Sequence, residues 1–133
     1  MTLHISSDKS LKKRGEEKMV INTREKDDVV IFDIEGEIRR SDIKDVTLHQ
    51  LVKEQLEGGK RNILLNFQNV EFIDSFGVGE ILASYISANN LGGKLKLAKI
   101  SKKLYLVFQV TMLTNVLEIF DNEETALGSF FKD

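Results

Sequence analysis

The sequence predicts a single α/β domain, a mixed sheet of about five strands with about four helices packed mostly on one face. Three observations lead there. Short apolar runs rich in β-branched residues alternate with segments of helical period, so most strands must be joined by crossover connections. A length of 133 residues suits one domain of ordinary size and not comfortably two. Cysteine is absent, so a hydrophobic core and not a disulfide framework must hold the chain together.

Residues 1–18 carry Lys9, Lys12, Lys13, Arg14 and Lys18 against Asp8, Glu16 and Glu17, with few apolar side chains. Such a segment cannot bury enough surface to offset its ordering entropy, which predicts a flexible charged tail before a domain over residues 19–131. Val20 and Ile21 open a first strand and Val29, Val30, Ile31 and Phe32 a second, with Lys26, Asp27 and Asp28 between them as a hairpin turn. Phe32, Ile34 and Gly36 then alternate with Asp33, Glu35 and Glu37, which predicts one wet face for that strand.

Leu48, Leu51, Val52 and Leu56 recur at helical spacing until Gly58 and Gly59 stop the helix. The run from Ile63 to Phe67 reads as a buried strand, followed by a loop. A long helix is expected from Ser75 to Asn90, closed by Leu91, Gly92 and Gly93. Leu95 and Leu97 alternate with Lys94, Lys96 and Lys99 in the next strand. A helix holding Leu104, Val107, Phe108 and Met112 follows, then a short strand over 116–120 and a last helix over 122–131.

Charge and motif content exclude several function classes. With 19 basic and 21 acidic residues, the net charge of −2 argues against general nucleic-acid binding, which relies on clustered cations. No apolar run approaches the ~20 residues that span a bilayer, and the first residues lack the apolar stretch of a secretory signal. The expectation is a cytoplasmic protein with no membrane insertion. Gly77 and Gly79 lack the third glycine of a dinucleotide fingerprint, because Leu82 stands there. Gly93-Lys94 lacks the upstream glycine of a P-loop, and Ile73 occupies the first glycine position of a hydrolase elbow. His4 and His49 are the only imidazoles. No enzyme, cofactor or metal is expected.

The least ordinary segment runs from Asn69 to Glu80. Asp74 or Ser75 can cap the long helix, since each offers a side-chain oxygen to the orphan amides of its first turn. Gly77 and Gly79 each cost up to ~1 kcal/mol relative to Ala inside a helix, and capping does not need both. A helical wheel turns Val78, Ile81, Leu82, Tyr85 and Ile86 toward the sheet and Phe76, Gly79, Glu80, Ala83 and Ser87 outward. Except for Phe76 and Glu80 that outward face is small and nearly flat, and a flat face beside an exposed aromatic suits close docking of another protein.

The block Phe72-Ile73-Asp74-Ser75-Phe76-Gly77-Val78-Gly79, followed by a helix, Gly92-Gly93, an apolar strand and Ile100-Ser101, resembles the STAS domain of bacterial anti-sigma factor antagonists. Gly36-Glu37, Val107-Phe108, Leu113 and Phe120-Asp121 extend the resemblance over about residues 19–131. It implies that Ser75 is phosphorylated by a partner serine kinase of the GHKL type that is itself the anti-sigma factor. The unphosphorylated antagonist would sequester that kinase and release the sigma factor. A serine phosphatase is the second implied partner. Asp74, Phe76, Gly77, Gly79, Glu80, Ala83 and Ser87 form the expected partner surface. The same domain could instead serve as a cytoplasmic accessory subunit of a membrane transporter. Two departures stand out: Phe76 replaces a common Ser, Thr or Ala, and Arg39-Arg40 stand where many antagonists carry an acidic residue.

Overall fold

The computed structural model of the chain describes residues 19–40 and 46–132; the expected tail over 1–18, with His4, lies outside them. Strands β1 (Val20–Lys26) and β2 (Val29–Ile38) form an antiparallel hairpin in which Lys26 faces Val29. The two-residue connection places Asp27 and Asp28 at φ 53° and 62°, the left-handed region that short polar side chains tolerate.

Helix α1 (Leu48–Glu57) is opened by a capping box between Thr47 and Gln50 and closed at Gly58. Strand β3 (Asn62–Ile73), helix α2 (Ser75–Asn90), strand β4 (Lys94–Ala98), helix α3 (Lys102–Val110), strand β5 (Ile119–Phe120) and helix α4 (Glu123–Ser129) complete the fold. The strands lie in sequence order, β1-β2-β3-β4-β5, and every pairing after the hairpin is parallel. Among the described residues this is the mixed five-stranded sheet with four helices that the alternation of periods predicts.

Three of those helices share one face. Leu51, Val52 and Leu56 of α1, Ile81 and Ala88 of α2, and Leu104 and Phe108 of α3 pack with Phe32, Leu65, Phe67 and Leu97 of the sheet. The Phe67 and Phe108 rings meet edge to face at 6.0 Å. On the opposite face, Ala126 and Leu127 of α4 and Phe130 cover Val29, Ile31, Leu64 and Ala98.

Three elements depart from expectation. The loop expected after Phe67 is strand: β3 continues to Ile73 because its second half pairs with the end of β2, Gly36 with Val70 and Ile38 with Ile73. The register shifts twice along this stretch, and Gly36 takes φ 96° at the second shift. Lys96 does not face water, because α4 closes over that side of β4. Its ammonium donates to the Ser129 carbonyl (3.1 Å) and hydroxyl (3.0 Å) and lies 5.0 Å from the Phe130 ring. Met112 falls outside α3, at φ 65° and largely exposed, and a 3-10 turn (Leu113–Asn115) takes up residues that separate it from a strand shorter than expected.

Candidate functional site

The site grows from the crossing of two chain segments. After β2 the backbone passes directly beneath the start of α2, and Asp74 joins them. Its main-chain N–H donates to the Ile38 carbonyl (3.2 Å), and its carboxylate accepts from the Gly77 N–H (2.8 Å) and the Arg40 N–H (3.0 Å). Asp74 is therefore the N-cap, with extended backbone at φ −104°. That settles which of the two candidate residues caps the helix and leaves Ser75, its first residue, exposed. Among the described residues the Ser75 hydroxyl makes no hydrogen bond, whereas the buried Ser84 donates to the Glu80 carbonyl and Ser87 meets a ring nitrogen of His49 at 2.8 Å.

The inward face of α2 is largely the expected one, with Ile81 buried and Val78, Leu82 and Tyr85 packed against the core, but it is broader on one side and excludes Ile86. Gly77, Ile81, Ser84 and Ala88 point inward, and Ile86, assigned to the core by periodicity, is 48% exposed. Gly77 is not surface at all: a Cβ there would overlap the Ile38 carbonyl oxygen and lie 2.7 Å from Cγ1 of Ile73. Glu80 and Ser87 turn to α1 and not to solvent, Glu80 accepting from the His49 N–H (3.1 Å). The reason is the second helix. A wheel of α2 alone knows one apolar side, but α1 lies alongside and offers polar partners to residues that a single helix would leave in water. Phe76 and Ala83 are half-buried, and of the expected outward set Gly79 alone is exposed, with open space where a Cβ would stand.

Two arginines complete the surface. The Arg39 guanidinium lies 5.6 Å from the centroid of the Phe72 ring and pairs with Glu37 at 3.0 Å. The Arg40 guanidinium lies 5.5 Å from the centroid of the Phe76 ring. The sequence signals the pair only as an unusual Arg-Arg; its stacking on Phe72 and Phe76 comes from the β2–β3 pairing, which no local pattern reveals.

Glu80 accepts from the main chain of His49, and among the described residues no carboxylate pairs with the imidazole, so the His49–Ser87 contact is not the start of a triad. The carboxyls held below their ordinary values lie on the α4 face, where Arg24 pairs with both Asp33 (2.6 Å) and Glu123. Burial pushes Asp33 up, but hydrogen bonds from Arg24 and Asn66 outweigh it and hold the carboxyl below its ordinary value. Glu123 is held low chiefly by its hydrogen bonds from Arg24, against some burial. Hydrogen bonding to Asp33 first, then Glu123, raises Arg24 in turn. These groups clasp α4 to the hairpin.

The profile of the STAS domain family matches residues 20–126. An anti-sigma F factor antagonist from Paenibacillus polymyxa is 32% identical over 66 residues, 50% of this chain and 56% of that protein. A candidate anti-sigma factor antagonist from Thermotoga neapolitana is 34% identical over 74 residues, 56% of this chain and 66% of that protein. The chain thus spans between half and two thirds of the length of these two relatives. A crystal structure of a candidate anti-sigma factor antagonist from Thermotoga maritima superimposes with a TM-score of 0.72 at 26% identity, covering 84% of this chain and 95% of that one. Among the described residues no helix is long and apolar enough to cross a membrane.

Proposed function

This chain belongs to the STAS domain family, and on that premise we propose that it is an anti-sigma factor antagonist switched by phosphorylation of Ser75. The observation that carries the reading is the contrast among the serines of α2. Ser84 and Ser87 are committed to hydrogen bonds inside the domain, while Ser75 is exposed, unbonded among the described residues and placed at the helix start. A kinase can reach that hydroxyl without opening the fold.

In the unphosphorylated state the surface around Ser75, Gly79, Phe72 and Ile86 docks on the anti-sigma factor, a serine kinase of the GHKL type, and the sigma factor is released. Phosphorylation adds a charge of about −1.5 to −2 beside Asp74. The helix dipole tolerates that charge at the N-terminus, so the domain stays folded. A partner surface closing over it does not, and an uncompensated charge in a desolvated contact costs roughly 2–5 kcal/mol. The protein acts as a cytoplasmic binding module and not as an enzyme, and a serine phosphatase returns it to the binding state.

Incubation with the kinase and ATP should add one phosphate, mapped to Ser75 by tandem mass spectrometry, and should weaken kinase binding at least tenfold by titration calorimetry. Modification solely at Ser87 or Ser101 would refute the assignment. Capture of transporter components instead of a kinase from the native host would favour the transporter-subunit role.

A further inference from the structure

The following rests on Ser75 being the phosphorylated residue. Arg40 is held beside it at both ends. Its main-chain N–H donates to the Asp74 carboxylate at 3.0 Å, and its guanidinium stacks 5.5 Å from the Phe76 centroid. Residues 74 and 76 flank Ser75 in the first turn of α2. Among the described residues, the nearby carboxylates are already engaged. Asp74 caps the helix, Glu37 pairs with Arg39, and Glu80 accepts from the His49 N–H. Among the described residues no carboxylate pairs with Arg40. A guanidinium resting on a partly exposed ring is held weakly compared with one forked onto a phosphate.

We infer that Arg40 pairs with the phosphate of phosphorylated Ser75 and leaves the Phe76 ring to do so. Phosphorylation then changes the docking surface twice over. It adds a dianion that Arg40 partly neutralises within the chain, and it strips the cation from the face of Phe76. A partner that reads the stacked Arg40–Phe76 pair loses that feature at the moment the phosphate arrives.

Phosphoserine installed at position 75 of the full chain by genetic-code expansion makes the test independent of any kinase. Titration followed by phosphorus NMR reports the second ionisation of the phosphate, which lies near pH 6 in an unperturbed phosphoserine. In the otherwise wild-type chain it is expected about 1 pH unit lower than in Arg40→Gln. Arg39→Gln should titrate like wild type, because that guanidinium is committed to Glu37. The Phe76 ring resonances should also move further on phosphorylation in wild type than in Arg40→Gln. Equal midpoints in wild type and Arg40→Gln overturn the pairing, as does a rise confined to Arg39→Gln. Failure of the kinase to modify Ser75 would instead defeat the switch proposed above, while this titration would still decide the role of Arg40.

Discussion

On the inward side of the first turns of α2, a Cβ on Gly77 would strike the Ile38 carbonyl; on the outward side, one on Gly79 would meet nothing within 4 Å. The two residues stand two positions apart in the same helix and weaken it by similar amounts. Packing explains the first completely: β2 must pass close enough beneath the helix for Asp74 to hold both segments. Packing leaves the second unexplained. A helix-weakening residue with empty space around it, one turn from an exposed serine, is what a closely approaching partner requires. The inward side of α2 builds the domain, and the outward side is the one on which the proposed function places the partner.

The largest effect expected is on the inward side. Gly77→Ala should destabilise the domain by about 3 kcal/mol or more, since a backbone carbonyl cannot yield as a side chain can. Ile81→Ala on the same side should cost about 2–5 kcal/mol. Denaturant midpoints measure both, and an unshifted midpoint for Gly77→Ala would break the comparison.

Gly79→Glu sharpens it from the other side. Stability should hold or rise by up to about 1 kcal/mol, because a helix former replaces glycine. Binding to the kinase of the proposed function should nonetheless fall at least tenfold, about 1.4 kcal/mol. Scanning and titration calorimetry read the two halves, and unchanged affinity would move the docking surface elsewhere.

Acid provides a smaller effect remote from α2. Asp33 and Glu123 titrate below their ordinary values in the folded state. Their contribution is thus fully present above the ordinary carboxylate pKa near 4 and is lost as pH falls through the lower folded values. Arg24→Gln should flatten that acid limb in denaturation curves recorded at several pH values. The penalty for Gly77→Ala should be the same above and within the limb; a penalty that vanishes there would couple the two faces.

The smallest change is expected at Ile86. Ile86→Gln should lie within about 0.5 kcal/mol of wild type in the same denaturant assay, despite the place the helical period gives it. A loss as large as that of Ile81→Ala would restore Ile86 to the core.

Local chemistry was enough for much of the molecule. The Asp27–Asp28 turn, the α1 stop at Gly58 and the full span of α2 are legible because each is decided by a few adjacent residues and their own dihedral and capping preferences. The block around Ser75 was legible for the same reason, since a cap, a serine and two glycines in one turn form an uncommon local pattern. Residues 68–73 were not, because their exposed Gln68, Asn69 and Glu71 look like a loop and become strand only through pairing with β2.

By itself, then, the sequence determined the order and type of the elements and the full span of α2, and it singled out the short segment around Ser75. The tertiary structure alone decided what each side of those elements meets. Periodicity measures how polar a face is, not which neighbour covers it. For that reason α1 could claim Glu80 and Ser87, α4 could bury Lys96 against two aromatic rings, and the end of β2 could set Arg40 over Phe76 beside Ser75.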